Sequence, residues 1–159
     1  MKDALGYTIQ KLISEDGADP DCRYDVTVIT DGDTNADRKC NTQTLMELKD
    51  GCEKAGNWTF TFVGCTAEQA LKAQQEYGFK AGNVAHVDLG LARGVQSALS
   101  NIAHTKSAYY SNQLRCSEAL FNSAGVVADW STTAVDTAGG VSPPVTTTDV
   151  TTLLTVTEP

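Results

Sequence analysis

One segment decides the fold of this chain: Tyr24-Asp25-Val26-Thr27-Val28-Ile29-Thr30-Asp31-Gly32-Asp33. It is a short apolar, β-branched run that ends in turn-forming residues, and such a run predicts a buried strand over residues 24–30. A strand buried on both faces belongs to a parallel sheet that helices cover. Open parallel sheets bind ligands at the carboxyl ends of their strands. Asp31 is the first polar residue beyond this strand end, so it is the first candidate for a binding role.

Helices and strands alternate on either side of this segment. The spacing of apolar residues predicts, in chain order, a helix (3–15), a strand (24–30), a loop (31–41), a helix (42–55), a strand (58–64), a helix (67–77), a strand (83–88) and a helix (91–112). This order indicates an α/β fold of the three-layer, Rossmann-like kind. Because crossover connections of this length join parallel strands, we expect about three parallel strands with flanking helices.

Side-chain patterns inside these elements predict the core. Aromatic residues alternate with threonine along the strand at 58–64, so one face of that strand is expected to be core rather than a stacking platform for bases. Thr66, with Gln69 three residues later, predicts a capping box at the start of the third helix. The inward face of the fourth helix is expected to carry Leu91, Val95, Leu99 and Ile102.

The composition changes near residue 131, which divides the chain into an α/β domain (1–130) and a Thr/Val-rich arm (131–159). Within the domain, residues 114–130 are expected to form a short helix followed by irregular structure. Leu120-Phe121 and Val126-Val127 are expected to be buried there. The arm is nearly neutral and rich in β-branched residues, so it is either a disordered tail or an extended arm that pairs with a sheet edge.

Charge and cysteine usage exclude several classes of partner. The formal net charge is −8 and no basic stripe is visible, which argues against nucleic acid because that affinity comes from clustered Lys and Arg. No apolar run is long enough to span a bilayer, and no signal pattern begins the chain, so we expect a cytoplasmic or virion protein with no membrane partner. The five irregularly spaced cysteines contain no Cys-x-x-Cys pair and predict free thiols in a reducing compartment.

Motifs that would indicate catalysis are missing. His86 and His104 are the only histidines, and neither is linked to a nucleophile-elbow pattern. No glycine-rich phosphate loop follows a strand. Asp31, Asp33, Asn35 and Asp37 alternate as in a calcium loop, but Ala36 and Thr42 stand where glycine and glutamate are needed, so a solvated acidic loop is the better interpretation. We therefore predict no catalytic residues and no enzyme.

Two motifs, and the spacing between them, resemble a von Willebrand factor A domain of the bacterial and bacteriophage type. The first is Val28-Ile29-Thr30-Asp31-Gly32-Asp33-Thr34-Asn35, in which a Thr-Asp-Gly strand end leads into a charged loop. The second is Trp58-Thr59-Phe60-Thr61-Phe62-Val63-Gly64, of the form W-x-F-x-F-x-G. The segment 3–9 is similar to the helix that precedes the first of these strands, so the resemblance extends over residues 1–112.

The resemblance implies a doubly wound sheet with a metal-ion-dependent adhesion site at its carboxyl edge. Such a site combines an Asp-x-Ser-x-Ser loop, a threonine and the aspartate of the Thr-Asp-Gly motif, and only the last is here, as Asp31. The chain therefore looks like the C-terminal half of the domain and lacks about three of its strands. Because Mg²⁺ needs near-octahedral oxygen coordination, we expect it at Asp31, with Asp33 beside it, only where another chain completes the site.

An incomplete sheet predicts a partner. In the family the strand at 24–30 lies inside the sheet, so its open side would expose backbone groups to water unless something covers it. A second copy, a different subunit or the arm folding back would each serve. We expect a non-enzymatic interaction or assembly subunit, by analogy a bacteriophage virion component; the alternative is a metal-dependent ligand-binding module completed by another chain. The expected interface residues are Tyr24, Val26, Val28, Val145, Val150, Leu153 and Val156.

Overall fold

The structure is a computed structural model, and it describes residues 1–16, 19–30, 39–87, 92–111, 117–122, 124–130 and 153–155. In chain order the elements are α1 (Lys2–Asp16), β1 (Tyr24–Thr30), α2 (Thr42–Lys54), β2 (Trp58–Gly64), α3 (Ala67–Gln75), a 3-10 turn (Ala81–Asn83), β3 (Val84–His86), α4 (Ala92–Ser111), β4 (Ala128–Asp129) and β5 (Leu153–Thr155). The predicted α/β fold is confirmed, and the bounds of β1 and β2 are those expected from the sequence. Within the described ranges, no helix combines the length and the apolar character needed to cross a membrane.

All five strands are parallel, and their order in the sheet is β4-β3-β2-β1-β5. Strands β1 and β2 pair along their whole length, from Tyr24 opposite Trp58 to Thr30 opposite Gly64. On its other side, β1 pairs with β5 from Thr27 to Ile29 only. The three predicted strands are therefore present, and β4 and β5 extend the sheet at its two edges.

One face of the sheet is apolar along its whole length and is covered by three helices. Successive residues of a strand point to opposite faces, and on this face they form an aromatic and aliphatic surface against α1, α2 and α3. Tyr24 and Trp58 stack there with their ring centroids 4.2 Å apart. The buried members of this core include Leu5, Ile9, Val26, Val28, Leu45, Phe60, Phe62, Ala70 and Ala73.

Among the described helices, α4 is the one that covers the opposite face. Ala98 and Ile102 of α4 pack on Val63 and Ala85, near the carboxyl ends of the strands. The predicted inward face of α4 is only partly right, because Val95 and Leu99 are 41 % and 47 % exposed, and Leu91 lies outside the described residues. The face that is buried carries Ala98, Ile102, Lys106 and Tyr109, which recur at helical spacing.

The short helix expected within residues 114–130 is not found in the described part of that segment. Residues 117–122 and 124–130 form bends and the strand β4. Asn83 determines this path: its side-chain amide donates to the carbonyl of Ser117 at 2.7 Å and accepts from the backbone N–H of Leu120 at 2.6 Å. The expected burial holds for Phe121, which packs edge-on against Trp130. It fails for Val126, which is 55 % exposed.

The predicted helix start at residue 66 is present with one difference. Thr66 Oγ1 accepts from the backbone N–H of Gln69 at 3.1 Å, as in a capping box. The Gln69 side chain then accepts from the N–H of Cys65, one residue earlier than the usual partner, at 2.9 Å. The prediction of free thiols is confirmed for the four described cysteines, Cys22, Cys40, Cys52 and Cys65.

Two glycines make a matched test of the packing. Gly51 lies inside α2, and a Cβ built there meets nothing within 4 Å. A Cβ on Gly82 would lie 2.6 Å from the Cα of Ala119. We expect Gly51→Ala to raise the free energy of unfolding by about 0.5–1 kcal/mol, because alanine has the better helix propensity. Gly82→Ala should lower it by about 1–3 kcal/mol through overpacking. Urea unfolding measures both, and equal effects of the two substitutions would contradict the described path of residues 117–122.

Candidate functional site

A buried polar strip runs across the amino-terminal half of the sheet, on the face that α4 covers. Asp25 and Thr27 of β1 and Thr59 and Thr61 of β2 point to this face, since they alternate with the apolar residues of the other face. All four residues are buried. Buried polar groups destabilise a fold unless they are hydrogen-bonded, so the strip requires partners from the helix above it.

Lys106 of α4 supplies the central partner. Its ammonium lies 2.9 Å from Asp25 Oδ2 and donates to Thr27 Oγ1 at 2.6 Å. Thr27 Oγ1 in turn lies 2.7 Å from Thr61 Oγ1, with either hydroxyl as donor. The side chains of Lys106 and Asp25 are only 9 % and 2 % exposed. This is a buried ion pair that is extended by hydrogen bonds to Thr27 and Thr61. Because it is buried, it anchors α4 and is not a site that a substrate could reach.

Two tyrosines at the end of α4 complete the strip. Tyr110 donates its hydroxyl to Asp25 Oδ2 at 3.3 Å. The hydroxyl of Tyr109 lies 3.1 Å from Thr59 Oγ1, which also accepts the backbone N–H of Ser117 at 3.1 Å. Within the described part of the chain, the second carboxylate oxygen of Asp25 is buried without a hydrogen bond. Tyr109 is buried and Tyr110 is partly buried, so both tyrosines contribute to packing.

A second buried cation lies on the other face of the sheet. Lys49 of α2 is fully buried, donates to the carbonyl of Gly78 at 2.9 Å and lies over the rings of Phe60 and Phe79. Burial lowers the pKa of Lys49, and burial raises the pKa of its neighbour Glu53, whose carboxylate is 3.8 Å away. These contacts hold α2 against the end of α3 and explain the lysine without a ligand.

At the carboxyl edge of the sheet, the connections that leave β2 and β3 run on opposite faces. The connection after β2 passes through α3 on the three-helix face, and the connection after β3 passes through α4 on the opposite face. Open α/β sheets bind ligands outside the carboxyl ends of their strands. His86 Nδ1 lies there 3.6 Å from Asp129 Oδ1, and the Cys65 thiol donates to the Gln69 side chain at 3.1 Å.

Metal binding at this edge is not supported by the residues that the structure describes. Among them, no three His, Cys, Asp or Glu side chains are grouped so that they could hold a metal ion. The predicted ligands Asp31 and Asp33 lie outside the described residues. Strand β1 ends at Thr30, the residue that precedes Asp31 in the chain.

The predicted interface residues separate into two groups. The side chains of Tyr24, Val26 and Val28 are buried in the three-helix core, so only the backbone edge of β1 is available for pairing. Leu153 is in β5, opposite Thr27. Val145, Val150 and Val156 lie outside the described residues. The structure thus brings the arm to the open side of β1, one of the three ways in which that side was expected to be covered.

Between α1 and α2 the surface has an apolar groove of about 230 Å³. The buried indole of Trp58 lies at its base, and Gly51 leaves one wall without a side chain. The remaining lining residues are Ile13, Glu47, Leu48, Cys52 and Ala55.

Sequence reasoning missed Lys106 and the polar strip. A signal was present, because an aspartate and three threonines alternate within two strands that are otherwise apolar. Period-two polarity in buried strands predicts a polar partner on the covering helix. Which residue is that partner depends on which face of α4 lies against the sheet. Because the apolar residues Val95 and Leu99 are exposed, the apolar pattern of the sequence predicts the wrong face.

The ion pair gives a first prediction for this site. Lys106→Met should lower the free energy of unfolding by about 3–5 kcal/mol, because it leaves the Asp25 carboxylate buried without its cation. The double variant Asp25→Leu/Lys106→Met should recover most of that loss, since no buried charge is then left alone. Lys11→Met is the control, because Lys11 pairs with Glu15 at 3.7 Å on the exposed surface and should change stability by less than about 0.5 kcal/mol. Urea unfolding that finds no difference between Lys106→Met and Lys11→Met would contradict the anchor role.

A second prediction concerns pH. Burial raises the pKa of the Cys52 thiol from 9.0 to about 11. The folded protein therefore keeps a proton that the unfolded chain loses, so the stabilisation from this group is fully present below pH 9 and is lost as the pH rises through about 11. The free energy of unfolding of the wild type, measured relative to Cys52→Ala, should fall over this range by at most about 2–3 kcal/mol. A difference that stays constant between these pH values would contradict the prediction.

Comparisons of the chain with protein-family models, with curated proteins and with solved structures find no match. The resemblance to a von Willebrand factor A domain therefore stays a prediction that rests on the two motifs. The feature from which a function can be proposed is the edge of β1, where β5 pairs.

Proposed function

We propose that this protein is a non-enzymatic interaction or assembly subunit that binds a protein partner through the edge of β1. The observation that carries this proposal is the pairing of β1 with β5, a strand from the far C-terminal arm. An edge that accepts a parallel strand from a remote segment presents the backbone groups needed to accept one from another protein, which is the mode called β-augmentation.

The rigidity of β1 supports this role. Its seven residues are all paired with β2, its apolar side chains are buried on one face, and Lys106 binds Asp25 and Thr27 on the other. None of these contacts involves β5. The edge is therefore formed independently of the strand that occupies it, and a preorganised edge binds a partner without a large ordering cost on its own side.

The length of the β1 edge supports the same role. The described residues 153–155 pair with Thr27, Val28 and Ile29, and a partner strand that paired along all seven residues of β1 would form more ladder hydrogen bonds than these three residues do. The net charge of −8 favours a protein partner over nucleic acid. The resemblance of the two motifs to bacteriophage domains suggests a virion as the assembly, and this last step is analogy.

A metal-dependent ligand-binding module is the second candidate. It is favoured by one observation, that β1 ends at Thr30, which directly precedes Asp31 in the chain, since open α/β sheets bind ligands at the carboxyl ends of their strands. Another chain would have to supply the remaining oxygen ligands. Titration with Mg²⁺ in the presence of a candidate partner, with EDTA and Asp31→Ala as controls, tests this function; binding that ignores both controls would exclude it.

Strand acceptance by the β1 edge can be measured directly. A fluorescent peptide of residues 148–159 should bind the full chain carrying Leu154→Pro, because proline removes a backbone N–H from the chain's own β5 and weakens its hold on the edge. The same peptide with Leu154→Pro is the control and should bind at least about tenfold more weakly. Fluorescence anisotropy gives both affinities.

The chain carrying Leu154→Ala should bind the peptide less well than the chain carrying Leu154→Pro, because alanine keeps the backbone N–H and with it the resident β5. If the two peptides bind equally, or if neither binds to any variant, then the edge of β1 is not a strand-accepting surface and the proposed function fails.

A further inference from the structure

We propose that the groove between α1 and α2 is a binding site for a small organic cation, made of one aromatic ring and a short chain that ends in an ammonium group. The groove is lined by seven described residues of α1, α2 and the start of β2. It does not use the backbone edge of β1. The inference therefore goes beyond the proposed function and can fail independently of it.

The space beside Gly51 is the first argument. Gly51 is an exposed residue inside α2, and a Cβ added to it would meet nothing within 4 Å. Glycine weakens a helix interior relative to alanine, and here no described neighbour requires its small size. What glycine provides at this position is the open wall of the groove.

The base of the groove is aromatic and fixed in place. Trp58 is 2 % exposed, and its indole stacks on Tyr24 and Phe60 with ring centroids 4.2 and 5.8 Å apart. A pocket whose base is already ordered binds a ligand without a large ordering cost of its own. An aromatic ligand gains more here than an aliphatic ligand of the same size, because paired rings attract each other beyond the burial of area.

The size of the groove restricts the ligand to one ring with a short chain. Its volume is about 230 Å³, whereas an apolar cavity of roughly 150 Å³ is enough to bind benzene. A whole protein surface is a poorer fit, since a standard protein interface uses roughly 20–30 residues on each side and seven line this groove. The geometry therefore favours a small molecule.

Glu47 determines the charge of the ligand. It is exposed, and among the described residues that line the groove it is the one with a charged side chain at neutral pH. The Cys52 thiol adds no charge there, because burial raises its pKa to about 11. Gln43 holds the Glu47 carboxylate along α2 by donating Nε2 to Oε1 at 2.7 Å. An ammonium beside this carboxylate is favoured, and the net charge of −8 also attracts cations.

Heteronuclear NMR spectroscopy of the full chain tests the site, with phenethylammonium as the probe. The backbone N–H of Gly51 and the indole N–H of Trp58 report on the wall and the base of the groove. Both signals should shift and saturate with a dissociation constant on the order of 1 mM, because a ligand of so few atoms gains limited free energy. No saturable shift up to about 10 mM would overturn the inference.

Two further probes test the two parts of the ligand. Phenylpropionate keeps the ring and reverses the charge, and it should bind about three- to tenfold more weakly because its carboxylate meets that of Glu47. Butylammonium keeps the charge and lacks the ring, and it should bind at least about tenfold more weakly. If either probe binds as tightly as phenethylammonium, then the proposed class of ligand is wrong.

Gly51→Leu fills the groove and keeps the helix, because leucine has a higher helix propensity than glycine. It should weaken the binding of phenethylammonium at least about tenfold, since its side chain takes the place of the ring. Gln75→Leu is the matched control, because Gln75 is exposed at the end of α3 and does not line the groove. Equal binding to these two variants would overturn the site.

Glu47→Gln should weaken the binding of phenethylammonium about two- to fivefold, which is the range for an exposed ion pair. Asp50→Asn is the control for this change, because Asp50 is an exposed acidic residue of the same helix that does not line the groove. It should change the affinity by less than Glu47→Gln does. An equal loss in both variants would mean that only the overall charge of the protein acts, and the role of Glu47 would be overturned.

Other occupants of the groove would give different results. A shift of the Gly51 and Trp58 signals with protein concentration alone would place a second copy there. Competition between phenethylammonium and the peptide of residues 148–159 would place a segment of the chain there. Either result overturns the inference. Peptide binding at the β1 edge is measured separately, so failure of the peptide assay leaves this site standing, and failure of phenethylammonium to bind leaves the proposed function standing.

Discussion

The contact of the Lys106 ammonium with Asp25 and Thr27 is the one on which the architecture depends most. Three helices are held to the sheet by an apolar core, whereas α4 covers a face whose amino-terminal half is polar. Without a cation between Asp25 and Thr27, that face would bury a carboxylate with no opposite charge beside it. The lysine therefore determines which side of α4 is inward.

The two faces of the sheet are held by different physical forces. The apolar face is extensive and tolerates rearrangement of similar volumes, because burial has no preferred direction. The polar face depends on a few directed bonds. Strand β1 belongs to both faces and is paired with β2 along its whole length. Because β1 is held by β2 and by contacts on both faces of the sheet, its remaining backbone edge is well placed to pair with another strand.

Much of this fold could be predicted from the sequence, because its local signals agree with its tertiary structure. The bounds of β1 and β2, the cap at Thr66 and the aromatic core of Trp58, Phe60 and Phe62 all follow from patterns of period two or from turn chemistry. The strand β4 could not be predicted, since two residues carry no period and are positioned by Asn83 from a distant segment. The rotation of α4 could not be predicted either. A lysine in a helix is expected at the surface, and only the tertiary structure shows that Lys106 lies against Asp25. The open side of β1 was expected from the resemblance. Which segment covers it could not be predicted, because that depends on a contact between residues far apart in the sequence.

The distance in sequence between β1 and β5 has a consequence for how the protein is made. Synthesis proceeds from the amino end, so β1 and β2 leave the ribosome and can pair well before Leu153 is added. During that interval each nascent chain displays a formed edge and has no strand of its own to cover it. Strand β5 is therefore the last described strand to enter the sheet, and it closes an edge that the rest of the chain has already formed.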